Sequence, residues 1–301
     1  MTIARSILES WAKQGAIATP KALREKIERK LIGENSKVRN TYGLEIYLQG
    51  SYRNNTNIYG SSDVDIVVQH DSTFFSDVSD LNVFEKSIYN NTFSDSTYTW
   101  STFKNEVVET LKEAFGHNKI EIGNKSIRIN DGNYEADVIP CFQYRKYVNF
   151  GHSENEREYI PGIKFYTTNE NRSVVNFPKE HYKNGAAKNQ RTSGYFKPNV
   201  RVFKNMKKRM IEKGMISKEE VPSYFLENLL YNVPDSLFDE NYLEKRVFNV
   251  LKWMGDNRHS LSELICQNEQ IMLFGYSQEQ WNETDARKFI NQIINFWNEW
   301  E

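Results

Sequence analysis

The stretch QGSYRNNTNIYGSSDVDIVVQ, Gln49 to Gln69, decides the reading of this chain. Its second half, Val64, Ile66, Val67 and Val68, is β-branched and apolar, which predicts a buried strand over 63–69. Two aspartates interrupt it, Asp63 and Asp65. Residues two apart on a strand project from the same face, so both carboxylates point the same way. Side by side they repel unless a positive charge stands between them. Either one face of this strand is solvated or it faces a cation.

A third aspartate supports the cation. Asp137 lies in EADVIP, flanked by Ala136 and Val138, inside another strand-like run. A carboxylate among apolar neighbours is costly unless it is paired or bound to a metal. One such residue suggests a salt bridge. Three on neighbouring strands suit two divalent ions about 3.5–4 Å apart, which neutralise the carboxylates and clamp the attacking and leaving oxygens of phosphoryl transfer. Oxygen-only ligands favour Mg²⁺, or Mn²⁺, over zinc. Asp63, Asp65 and Asp137 are thus the expected metal ligands and catalytic residues. Gly50 lets the backbone approach a ligand closely, and Ser51 offers a hydroxyl and an N–H to a phosphate.

Composition narrows the rest. The chain has 301 residues, 39% hydrophobic and 26% charged, enough for one large or two closely packed domains. No run of 18 apolar residues occurs, so no membrane span is expected. The N-terminal MTIARSILESWAKQG lacks the apolar core of a signal peptide, and Cys141 and Cys266 have neither disulfide-framework nor zinc-site spacing. A cytoplasmic protein with reduced thiols is expected. Net charge is −1, which gives no global footprint for nucleic acid, although positive charge gathers in FKPNVRVFKNMKKRM, 196–210.

Along the chain, helices are expected over 3–32 around Pro20, then a strand at 44–49, a loop at 52–62 and the strand at 63–69. Residues 71–101, dense in Ser, Asp, Asn and Thr, read as a long excursion or lid, followed by a helix at 102–116. Strands follow at 119–130 and 134–147, joined by an Asp131-Gly132 hairpin, with another around 159–168. PKEHYKNGAAKNQRTSGYFKP reads as a polar connection. Beyond it helices are expected near 198–213, 222–232, 241–254, 259–273 and 282–300. This gives an α+β half over 1–180 and a helical half over 181–301.

The combination of GS, eleven residues, DVD and a later ADV strand resembles the nucleotidyltransferase superfamily of polymerase β type. TSGYFKPNVRVFKNMKKRM and PSYFLENLLYNVPDSLF are similar to bacterial cGAS/DncV-like nucleotidyltransferases (CD-NTases), most like their clade E. The resemblance covers about residues 40–255. It implies an α+β polymerase β-like core of mixed sheet and helices, and a C-terminal helical domain like that of oligoadenylate synthetases. The implied activity is synthesis of a cyclic oligonucleotide, most readily a purine-containing dinucleotide, from nucleoside triphosphates including ATP. Diphosphate is released, and the product is an anti-phage second messenger read by a downstream effector.

The resemblance also assigns roles. Asp63 and Asp65 would hold two Mg²⁺ ions, with Asp137 completing the site of the ion that activates the attacking hydroxyl. Gly50 and Ser51, with Gln49 beside them, would hold the donor triphosphate. Lys204 would reach that triphosphate, Ser223 would bind its terminal phosphates at a helix start, and Tyr224 would stack on the donor base. Arg128 would touch the acceptor nucleotide, a structural ion pair being the alternative. His117, His152 and His181 read as surface residues, since this chemistry needs no histidine. With two cysteines there is no zinc insertion, and the INFWNEWE terminus lacks the small last residue used for conjugation in some operons. A monomer needing no nucleic-acid activator is expected. The competing readings are transfer to an RNA 3′-end, a small molecule or a protein, and a catalytically dead nucleotide sensor.

Overall fold

The computed structural model describes residues 3–15, 18–39, 41–60, 63–130, 132 and 135–300. The chain forms two compact units. One comprises 17–49 and 63–179; the other comprises 1–16, 50–62 and 180–301. The boundary near 180 matches the change in sequence character. However, the N-terminal segment and 50–62 belong to the helical unit, which no composition shift marks.

The sheet unit begins with α2 (Ala18–Leu31), after α1 (Arg5–Trp11) of the other unit, and β1 (Leu44–Leu48). The unit continues with β2 (Val64–Asp77), α4 (Val83–Thr92), α5 (Trp100–Phe115), β3 (Ile120–Ile122), β4 (Ile127–Asn130), β5 (Glu135–Phe150), β6 (Arg157–Tyr166) and β7 (Ser173–Asn176). Among the described residues the seven strands make one mixed sheet, ordered β1-β2-β5-β4-β3, with β6 pairing β5 and β7. β2 and β5 run parallel at its centre; the remaining pairs are antiparallel. Ile66, Val67, Val68 and Val138 are buried there, and Phe103, Val107 and Leu111 of amphipathic α5 are buried with them.

Two expectations change in this unit. Residues 71–77 are no excursion. They continue β2 past a register shift between His70 and Phe74, after which Phe74 to Asp77 pair with Gln143 to Lys146 of a similarly long β5. Within it Phe75 packs on Phe142 and Phe74 packs on Phe93. The following Asn- and Ser-rich segment contains α4, started by an Asn82–Glu85 capping box and held by Tyr89 and Phe93 against Tyr147 and Phe150. Between β4 and β5, Gly132 takes φ +80°, the left-handed conformation a tight turn favours. Asp131, Tyr134 and the loop residues Ser61 and Ser62 lie outside the described residues.

The helical unit contains α1, α3 (Gly50–Asn54), α6 (Pro178–Arg191), α7 (Phe196–Glu212), α8 (Ser223–Tyr231), α9 (Leu243–Asn257) and α10 (Glu283–Asn298). Its apolar core gathers Ile3, Leu8, Phe203, Leu229, Val250 and Ile290. The expected polar connection is the helix α6. It has little apolar stripe because its buried side is polar: Lys188 donates to Val233 O and Asp235, and His181 meets Glu227. Gly50-Ser51 starts the short helix α3, where a plain loop was expected. The helix expected at 259–273 is absent beyond one 3₁₀ turn at Leu261–Glu263. Asparagine amides take up the backbone there instead. Asn232 bonds Ile265 N and O, Asn228 accepts from Gln267 N, and Asn268 accepts from Gln270 N and Ile271 N.

Candidate active site

In the sheet unit the carboxylates follow from register. Asp65 and Asp137 are direct partners across the parallel β2–β5 pair. Neighbouring strands lie about 4.8 Å apart, so the two side chains stand together on one face. Val64, Ile66, Ala136 and Val138, on the opposite face, are buried. Apolar packing thus fixes the register, and the register fixes the carboxylate pair. Asp63 comes just before β2 and is exposed.

Asp137 accepts a hydrogen bond from Ser126 Oγ at 2.8 Å. Arg128, its partner on β4, brings Nε to 3.9 Å of Asp137 and Nη1 to 3.4 Å of Glu121. Arg128 therefore occupies the ion pair that was the alternative to an acceptor contact. Two aligned carboxylates and a hard oxygen donor set fit a divalent cation. Among the described residues, no three acidic, histidine or cysteine side chains gather closely enough to enclose an ion. Gln49 N donates to Asp65 O at 3.0 Å, and its side-chain Oε1 is buried without a hydrogen-bond partner.

In the helical unit the phosphate-binding candidates are built from four segments. Gly50 adopts φ +62°, a conformation that a side chain would strain, and Ser51 follows in α3. Ser51 O accepts from Thr56 N at 2.9 Å, which closes the turn. Arg201 fixes the next residues by donating to Asn55 O at 2.6 Å and to Ala12 O at 2.6 Å. Ser223, exposed, opens α8 directly after Pro222.

The lysines differ from expectation. Lys204 is buried, its Nζ 2.8 Å from Glu227 Oε2 and 3.0 Å from Thr56 Oγ1. One turn along α7, Lys207 donates to Ser223 Oγ at 3.1 Å. Burial, with the charges of Lys204 and Lys218, lowers the Lys207 pKa to about 8. Lys207 thus stands at the serine expected to hold the terminal phosphates, a cation with no carboxylate salt bridge among the described residues. Tyr224 keeps 36% of its surface exposed and lies against His181, with ring centroids 5.5 Å apart and planes 23° apart. His181 is not a surface residue: it is buried because its Nε2 meets Glu227 Oε1 at 3.4 Å. His117 and His152 are exposed.

Comparison with known proteins places this geometry. Residues 28–120 match the model of the nucleotidyltransferase domain, and 183–298 that of the cGAS/DncV-like nucleotidyltransferase C-terminal helical domain. The cyclic nucleotide synthase CdnE01 of Staphylococcus haemolyticus is 57% identical over 300 residues, covering 100% of both chains. The chain is a clade E cGAS/DncV-like nucleotidyltransferase.

Solved CdnE structures carry the same architecture. The Rhodothermus marinus CdnE c-UMP-AMP synthase with Apcpp and Upnpp superposes with a TM-score of 0.87 at 42% identity, covering 99% of this chain and 97% of that one. The Elizabethkingia meningoseptica CdnE cyclic dinucleotide synthase with GTP and Apcpp gives 0.77 at 28% identity, covering 98% of each. The α+β fold with its C-terminal helical domain and the nucleotidyltransferase activity hold for this CdnE relative. No described helix is long and apolar enough to cross a membrane. Sequence reasoning missed Lys207, Glu227, Thr56 and His181. The available signal was the KNMKK spacing, which puts Lys204 and Lys207 on adjacent turns of one helix face without saying which is paired.

Proposed function

We infer that this enzyme joins two nucleoside triphosphates and closes them into a cyclic dinucleotide, releasing diphosphate. The observation that carries the reading is the parallel register placing Asp65 opposite Asp137. Together with Asp63, these carboxylates would hold two Mg²⁺ ions, which supply charge neutralisation and an activated 3′-hydroxyl when bound. Gly50 and Ser51 cradle the donor triphosphate, Ser223 and Lys207 take its terminal phosphates, and Tyr224 stacks on the donor base. Gln49, next to Gly50 in the chain, would stand beside the donor triphosphate.

An adenine nucleotide is one substrate. Both solved relatives named above hold an adenosine triphosphate analogue, one beside a uridine analogue and the other beside GTP. Two relatives of one fold holding different second nucleotides support a reading in which side chains, not the fold, choose the second base. The product acts as a second messenger for a cyclic-nucleotide-sensing effector in anti-phage defence. The test is incubation of nuclease-treated protein with each labelled triphosphate, singly and in pairs, with Mg²⁺ or Mn²⁺. A phosphatase-resistant product requiring ATP is expected. Products that remain phosphatase-sensitive, or labelling of an RNA end instead, would overturn the reading.

A further inference from the structure

Glu227 has both carboxylate oxygens engaged. Oε2 accepts from Lys204 Nζ at 2.8 Å and from Thr56 Oγ1 at 2.8 Å, while Oε1 lies 3.4 Å from His181 Nε2. Lys204 also donates to Thr56 Oγ1 at 3.0 Å. The four side chains come from α6, α7, α8 and the segment after α3. All are deeply buried: Thr56 at 1% exposure, Glu227 at 3%, Lys204 and His181 at 5% each. A phosphate cannot reach Lys204 while this packing holds.

Both ends of the network lead to nucleotide-binding candidates. At one end, Thr56 N donates to Ser51 O, so the residue that meets the ion pair also closes the Gly50-Ser51 turn. At the other, the His181 ring lies on Tyr224. Burial would raise the Glu227 carboxyl, but Lys204 and then His181 outweigh it and hold the group ionised well below the usual carboxylate range. A buried pair of this kind adds little stability over an apolar equivalent, yet removing one partner is severe. Such a pair serves geometry better than stability.

We propose that Lys204 and Glu227 are a positioning pair that fixes the Ser51 turn and the Tyr224 platform as one body for the donor nucleotide, and that Lys204 does not touch the triphosphate. This rests on the nucleotidyl-transfer reading and gives Lys204 a different role from the one its motif implies. The two roles predict opposite signs. If Lys204 bound phosphate, releasing it from Glu227 would leave binding intact or tighten it. If it positions, losing either partner loosens the turn and the platform together.

The experiment measures binding of a non-hydrolysable ATP analogue by calorimetry in Mg²⁺, beside melting temperature and steady-state KM and kcat. Lys204→Met and Glu227→Gln should each weaken analogue binding roughly tenfold or more, raising KM more than they lower kcat. The Lys204→Met/Glu227→Gln double variant should recover melting temperature without recovering binding. Thr56→Val and His181→Phe, which keep shape and lose only hydrogen bonds, should fold and weaken binding roughly threefold or more. They carry the test if the single charge variants do not fold. Unimpaired binding by Glu227→Gln alongside loss in Lys204→Met would overturn the proposal. So would recovery of binding with stability in the double variant, or unchanged binding in both Thr56→Val and His181→Phe. A wild-type protein that binds the analogue but makes no cyclic product would instead sink the synthase reading, and the binding constants would still decide this one.

Discussion

The two units handle charge in opposite ways. In the sheet unit, Asp65 and Asp137 are only partly buried and stand as neighbours of like charge on one face, a short run of residues away from Asp63. In the helical unit, Lys204, Glu227, Thr56 and His181 are buried and hydrogen-bonded to one another, with His181 Nδ1 left without a partner. The first arrangement sets two carboxylates side by side, which a divalent cation would stabilise. The second pairs opposite charges in the interior. Like charges brought together on one strand face point to chemistry, whereas opposite charges paired in the interior point to architecture. Lys207 is the exception: it is buried, its pKa lowered, and it donates to a neutral serine.

The most demanding test of that contrast removes the like-charge pair. Asp65→Asn with Asp137→Asn should reduce product formation about a thousandfold or more, because charge stabilisation of the reacting phosphoryl oxygens is lost. Melting temperature should hold or rise, since a repulsion disappears. Near-normal turnover in this variant would refute the metal-site reading. Lys204→Met should do the reverse to the fold. Stranding Glu227 should cost about 3–5 kcal/mol in denaturant unfolding. A loss within the range of surface substitutions would show that the interior charge is not balanced by this pair.

Lys207→Met should raise the donor KM roughly tenfold with a smaller change in kcat, since the contact exists in the ground state. The pH dependence sharpens this. With its pKa lowered to about 8, Lys207 loses its proton above that pH in the free enzyme, whereas phosphate binding favours the protonated form. Wild-type KM should therefore climb as pH rises above 8, and the climb should flatten in Lys207→Met. The sign for stability is opposite. The lysine's ordinary pKa is 10.5, so the unfolded chain holds the proton longer than the folded one, and folding stability from this group should increase between about 8 and 10.5. The smallest effect is expected at the platform. Tyr224→Ala should weaken donor binding by about 1–3 kcal/mol through lost stacking, while Tyr224→Phe stays near wild type. Equal losses in both would assign the work to the hydroxyl.

The carboxylate edge was legible because it is local. Alternation of apolar residues with Asp63 and Asp65 specifies strand, buried face and carboxylate face within seven residues, and Ala136-Asp137-Val138 repeats the pattern. Gly50 announced its left-handed turn and Pro222 the start of α8 by the same short-range rules. What misled was burial without an apolar pattern. α6 hides His181 and Lys188 where a helix ordinarily hides aliphatics, and β2 runs on beneath residues that read as loop.

The sequence by itself determined that this chain folds around a carboxylate-bearing strand and carries a glycine-serine turn, because strand period and backbone freedom act between adjacent residues. Only the tertiary structure decided which lysine is spent on Glu227 and which meets Ser223. Two lysines one helical turn apart have the same local chemistry. What separates them is the partner each finds on another helix, and that depends on how α6, α7, α8 and the segment after α3 pack, at separations of up to 171 residues in the chain.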